Sequence, residues 1–266
     1  MDPAEARLAS AGDAGEFRWT SASRSHPGRV REVNEDACLE QPARGLWAVA
    51  DGMGGHALGE FASRLAIRSL MDLPAPDCLE RYVAAAQERL QQANRRLRAE
   101  AARRDVPVIG TTIAALLASQ RHCACLWAGD SRIYLFRAGR LRQLTRDHSE
   151  LEAVRSRHVA GLDDTLDRPP ANFITRALGG ADTLELDDNT IEVVDGDVFL
   201  LCSDGLSNEV SELAIEHALL PGNCRLASEA LLELALERGG RDNITAVVVR
   251  AEDLCSPDRT VMHPVL

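Results

Sequence analysis

Two apolar runs that show no alternation most constrain the fold of this chain. Residues 45–50 (GLWAVA) stop at Asp51-Gly52, and residues 197–202 (DVFLLC) stop just before Asp204-Gly205. A strand apolar at every position must be covered on both faces, and Asp-Gly is turn chemistry, so both runs read as buried strands that end in turns. Shorter apolar runs at 111–118, 122–128 and 132–136, with Ala138-Gly139 as a hairpin turn before 140–144, predict a meander, and 244–250 predicts the last strand. Helices are predicted at 60–71, 208–220 and 225–238, the last closed by Gly239-Gly240. Over 79–104 apolar residues such as Tyr82, Ala86, Leu90, Ala93 and Leu97 recur every three or four positions, the signature of a long amphipathic helix. Helices that fall between clusters of strands, instead of alternating with them, predict an α+β layered fold with helices outside the sheets.

At 266 residues and 45% hydrophobic, the chain can bury one large core. The expected organisation is a loose lead-in over 1–19, one domain over 20–252 and a tail over 253–266. A flap at about 150–172 carries Gly161, Asp163, Asp164, Asp167 and Pro169-Pro170. The net charge of −11 repels nucleic acid and anionic membrane, so neither is an expected partner, and any phosphate must be caught by a local basic group or a metal. All 30 basic residues are arginine, which removes the Walker, kinase and Schiff-base lysines together. The seven cysteines include no C-x-x-C and sit mostly in apolar runs, which suits reduced core thiols and gives no zinc site. The N-terminus has no apolar signal core and no run nears the roughly 18 residues that cross a bilayer, so a cytoplasmic protein is expected.

The chemistry lies where carboxylates meet strand ends. Asp51 and Asp204 end two predicted strands, Asp242 begins a third, and Glu35-Asp36 precedes the first, so each can project from a rigid element toward one rim. Hard oxygen ligands select Mg²⁺ or Mn²⁺ over zinc. Any one Asp-Gly among 41 acidic residues is most often only a turn. The combination carries the signal: RVREVNEDA (29–37), VADGMGGHALGE (49–60), GTT (110–112), AGDSRIYLFR (128–137), LTRDHS (144–149), ITRALGG (174–180), LLCSDGLSN (200–208) and RDNITAVVV (241–249). In these segments, and in their order, the chain resembles the type-2C metal-dependent protein phosphatases, particularly their compact bacterial members.

That resemblance implies a central antiparallel β-sandwich flanked by helices on both faces, and hydrolysis of phosphoserine or phosphothreonine in proteins. It implies two Mn²⁺ or Mg²⁺ ions, with Asp51 bridging them, the Gly52 carbonyl on one, and Asp204 and Asp242 on the other. Glu35 and Asp36 are expected to orient metal-bound water, and Arg31 to bind phosphate through its guanidinium fork. Two such ions about 4 Å apart turn a bridging water into a hydroxide that attacks phosphorus in line, with no covalent intermediate. Asp130 either joins Asp204 at a third metal site or is a carboxylate salt-bridged to Arg132 or capping a turn. The expected partners are phosphorylated proteins, among them a bacterial serine/threonine kinase and its substrates, and the expected state is a monomeric, stand-alone unit.

One position departs from many eukaryotic relatives: Met53 stands where they carry a histidine two residues after the bridging aspartate. Met53 cannot protonate the departing oxygen, which leaves a metal-bound water or His56 as the acid. Two other readings compete. Cys38 and Arg44 have the C-x₅-R spacing of cysteine-dependent phosphatases, but the loop between them lacks glycine, contains Pro42 and places Glu40 where a phosphate would sit. A catalytically silent phosphoprotein-binding regulator would be expected to have lost at least one of Asp51, Asp204 and Asp242, and all are present. Cys123 and Cys125 share a strand face by the two-residue period and read as core.

Overall fold

The computed structural model describes residues 17–55, 57–74, 77–150, 152 and 174–255. The unalternating runs become strands with a core on each side. In β3 (Leu46–Met53), Leu46, Ala48 and Ala50 face one core while Trp47 and Val49 face another; β5 (Ile113–Ser119) divides its residues in the same way. In β10 (Val198–Cys202), Phe199 and Leu201 share the core of Trp47, and Val198, Leu200 and Cys202 enter a third. Three cores require four layers.

The remaining strands are β1 (Phe17–His26), β2 (Asp36–Gln41), β4 (Gly110–Thr111), β6 (His122–Ala128), β7 (Arg132–Arg137), β8 (Arg140–Gln143), β9 (Asp187–Glu192) and β11 (Ile244–Asp253). One sheet has the order β1-β11-β10-β7-β8; the other runs β2-β3-β5-β6-β9, with β4 beside β3. Every pairing is antiparallel. Helices α1 (Ala57–Met71) and α2 (Leu79–Arg104) cover the second sheet through Leu70, Tyr82, Leu90 and Leu97. The first sheet is covered by α4 (Glu212–Leu219) and α5 (Cys224–Glu237), which follow the single turn α3 (Asp204–Ser207). The α+β sandwich with helices on both faces is therefore the architecture of the chain. No described helix is long and apolar enough to cross a membrane.

Several boundaries differ from the sequence reading. Strand β1 begins at Phe17, inside the segment read as lead-in, because Phe17 and Trp19 face inward and the Trp19 ring packs, tilted, 5.2 Å from that of Trp47. At the other end β11 continues to Asp253, where Arg121 pairs with its carboxylate. The predicted helix over 208–220 starts only at Glu212, since Ser211 is extended and separates it from α3. Strands β1, β2 and β9 were not signalled by apolar patterning, and all three are sheet edges. An edge strand presents polar groups to water, as the alternately exposed DDNTIE of β9 does. The expected flap lies outside the described residues except for Glu150 and Glu152, and a bridge between Ser149 and Ile174 joins its two sides.

Candidate active site

Strand ends from both sheets gather the carboxylates at one rim of the sandwich. Asp36 opens β2 directly opposite Asp51 on β3. Asp204 follows β10 after one residue, Asp242 precedes β11 by two, and Asp130 sits in the turn between β6 and β7. The Asp51 N–H donates to Thr112 Oγ1 at 3.0 Å, and its carbonyl accepts the Thr111 hydroxyl at 2.8 Å and the Thr112 N–H at 2.9 Å. Asp36 Oδ2 accepts the Ser203 hydroxyl at 2.7 Å, and Ser203 Oγ accepts the Thr245 N–H at 3.0 Å. Asn243 ties in the segment that carries Arg31: its Oδ1 accepts the Glu35 N–H at 2.8 Å and its Nδ2 donates to the carbonyls of Pro27 and Val33, each at 2.9 Å. Arg31 itself reaches Asp242 Oδ2 at 2.8 Å while half exposed.

Close backbone approach explains two of the glycines. A Cβ on Gly52 would lie 2.1 Å from the Gly59 carbonyl, and one on Gly205 would lie 2.0 Å from the Asn243 carbonyl. Neither contact can be relieved by a side-chain rotation. Gly205→Ala should therefore cost about 2–3 kcal/mol by overpacking and lower Tm by about 5–10 °C, read in a thermal melt. An unchanged melt would mean that α3 can move away from β11 without loss.

Electrostatics at the rim oppose ionisation. Burial pushes Asp36 up to about 7, with the charges of Asp204 and Asp242 adding to it and hydrogen bonds from Thr245 and Ser203 holding it back. Burial, then Asp36, Asp204 and Asp130, raise Asp51 well above the carboxylate range. Asp204 is raised by burial and by the charge of Asp242, with Asp51, Arg132 and Arg31 holding it back. Asp130 is raised to about 7 by burial and by Asp204. Buried oxygens of Asp36, Asp130 and Asp204 (Oδ1 in each) accept no hydrogen bond. Buried acceptors in this condition are costly unless something positive completes them. Hard oxygen donors lacking partners fit a hard divalent cation. Among the described residues no three His, Cys, Asp or Glu groups close around one point as a ready cage.

All the expected site residues, Arg31, Glu35, Asp36, Asp51, Gly52, Asp130, Asp204 and Asp242, thus lie on or beside this rim, and Glu35 Oε1 lies over Gly59, where a Cβ would come within 2.5 Å. Arg132 does not pair with Asp130; it forks onto Asp147, Nε to Oδ1 at 2.9 Å and Nη2 to Oδ2 at 2.6 Å. Met53 ends β3 opposite Gly110, and His56 lies outside the described residues. Cys38 is in the middle of β2 with its thiol pushed up by burial, while Arg44 donates to the carbonyls of Met71 and Leu73, so the C-x₅-R spacing forms no anion loop. Cys123 and Cys125 are buried together between the sheets, and all seven cysteines are free thiols. Three contributors escaped the sequence reading: Ser203, Asn243 and His148. The His148 ring accepts the Gly129 N–H on Nδ1 at 3.2 Å, donates from Nε2 to Asp187 at 3.1 Å and stacks on Trp127, fixing the turn that carries Asp130. Their one signal was a polar residue beside an aspartate at the end or the start of a strand.

Known proteins resemble this chain in sequence and fold. The family model for Protein phosphatase 2C matches residues 24–230. The serine/threonine protein phosphatase PstP of Mycobacterium tuberculosis is 38% identical over 237 residues, covering 87% of this chain but 45% of that protein, so the chain spans under half of that relative's length. The structure of PppA, described as a key regulatory component of T6SS in Pseudomonas aeruginosa, superposes with a TM-score of 0.83 at 44% identity, over 89% of this chain and all (100%) of the other. The catalytic domain of PstP in complex with two manganese ions superposes with a TM-score of 0.76 at 36% identity, over 90% of this chain and 100% of that one.

Proposed function

The chain belongs to the protein phosphatase 2C family, and from that premise we propose that it hydrolyses phosphoserine and phosphothreonine in proteins with the help of Mn²⁺ or Mg²⁺ at the carboxylate rim. The observation that carries this reading is the set of buried, unpartnered oxygens of Asp36, Asp130 and Asp204 beside Asp51 and Asp242. Asp51 would bridge two ions, with the Gly52 carbonyl on one and Asp204 and Asp242 on the other. Asp130 with Asp204 would serve a third, and Glu35 and Asp36 would orient bound water. Divalent ions at such a site supply an acidified water near neutral pH and polarise phosphoryl oxygens.

The chain's own groups do the rest. Arg31 is held near the rim by Asp242 and exposed enough to turn its fork onto two phosphoryl oxygens. The hydroxyl of Ser203 keeps Asp36 aimed inward, and Thr111 and Thr112 fix the backbone from which Asp51 projects. Met53 has no proton to give, so the seryl or threonyl oxygen would take its proton from bound water or from His56. The substrates on this reading are products of a serine/threonine kinase. Phosphate release from a phosphothreonine peptide should begin on addition of Mn²⁺ and stop with chelator. Absent or metal-independent turnover by folded protein would instead favour a phosphoprotein-binding regulator.

A further inference from the structure

Beside the rim lies an apolar cleft that the hydrolytic chemistry does not use. Met53 is two residues beyond Asp51 on β3, so both side chains leave the same face, roughly 7 Å apart at the rise of a strand. From Met53 a cleft of about 870 Å³ opens, walled by Val108, Ile174, Ala177 and Leu184. Gly54 and Gly180 also line it and place no side chain in it. Val108 is 40% exposed there, an apolar side chain left open to water.

The wall is preformed. Asn94 of α2 is fully buried; its Oδ1 accepts the Gly179 N–H at 2.6 Å and its Nδ2 donates to the Ala181 carbonyl at 3.0 Å. Gln91 donates to the Leu184 carbonyl at 2.6 Å. Leu178 and Thr111 exchange two backbone hydrogen bonds, which couples the wall to β4 and so to β3. The charge of Arg176 at the cleft is committed to Asp187 at 2.8 Å and Glu185 at 3.4 Å. A rigid, mostly apolar concavity continuous with a reactive rim is where a substrate's neighbouring residues are read.

We infer that this cleft binds an aliphatic side chain of the substrate, two or three residues from the phosphorylated one; the inference rests on the phosphatase reading above. An extended segment advances about 3.3–3.6 Å per residue, so two or three residues span the distance from Asp51 to the cleft. An acidic side chain there would lose hydration against Val108 and Ile174 and face Glu185, whereas leucine would gain burial.

Phosphothreonine peptides that differ only in carrying leucine or aspartate two and three residues from the phosphothreonine test this. The leucine peptides should show roughly 10-fold higher kcat/KM, expressed mainly in KM. Val108→Asp should bring the ratio to about one while hydrolysis of p-nitrophenyl phosphate stays at the parental rate, and Val108→Leu should keep the preference. Fluorescence anisotropy with phosphonate versions of the same peptides reads the order of binding without turnover. A folded but inactive protein would thus sink the phosphatase reading, and the binding order would still decide the cleft. Equal use of both peptides, or a preference that survives Val108→Asp, overturns the inference. So does a concentration-dependent dimer that Val108→Asp dissolves without any peptide preference, which would give the cleft to a second copy.

Discussion

Asp204→Asn should slow Mn²⁺-dependent phosphate release from a phosphothreonine peptide about a thousandfold, close to 4 kcal/mol of transition-state stabilisation, without lowering the melting temperature in chelator. The two halves of this result separate chemistry from folding. Asparagine keeps the shape of the side chain and can still accept the Asn208 amide that now meets Asp204 Oδ2 at 3.1 Å. What it loses is the negative charge, and with it the hold on a divalent cation. In chelator that same charge is a liability, since Asp204 is buried beside Asp242, Asp51 and Asp130. The variant should therefore melt as high as the parent or higher without metal, and gain less from added Mn²⁺. Full activity in Asp204→Asn would remove this residue from the site; a fall in activity matched by a fall in the chelator melt would mean only that the fold had been damaged.

How much of this was legible beforehand follows from what each residue type must do. The runs at 45–50 and 197–202 could be read because strands β3 and β10 are covered on both faces, and only apolar residues satisfy that. The aspartates at their ends stood out against those runs, and the family resemblance turned turn dipeptides into ligand candidates. The edges β1, β2 and β9 were hidden because a strand with one open side is free to be polar. Hidden too was the support for the ligands. Ser203 and Asp36 are separated by 167 positions in sequence and meet only when β10 and β2 are brought to the same rim. A lone serine before an aspartate carries no mark of that partner. Helix α2 shows the opposite case: its bounds were set locally, by the apolar period and by Asp105, which adopts a left-handed φ of 55° and ends the helix.

Stripped of divalent metal, the protein should melt about 10 °C higher at pH 5 than at pH 8, and Mn²⁺ should reduce or reverse that difference. Unfolded, the aspartates ionise near their ordinary value of 3.8, but folded Asp36 and Asp130 hold their protons to about 7. Between those values the folded state binds more protons than the unfolded one, so stability falls as pH rises through the window and levels off above it. Asp51 and Asp204 are raised by the same burial and act in the same direction. His148 opposes them: burial lowers its pKa, so the folded state gains stability as pH rises through the ordinary imidazole range. It is one group against four. Asp187, held below the ordinary range by His148 and Arg176 despite partial burial, loses its contribution only in more acid solution and leaves the window untouched. A divalent ion changes the sign because it binds the carboxylates only after their protons leave, so its stabilisation grows with pH and reaches about 2.7 kcal/mol at a hundred times Kd. A flat chelator profile from pH 5 to 8 would mean that water reaches these carboxylates freely, and the cost of their burial, the physical ground for placing metal there, would be gone.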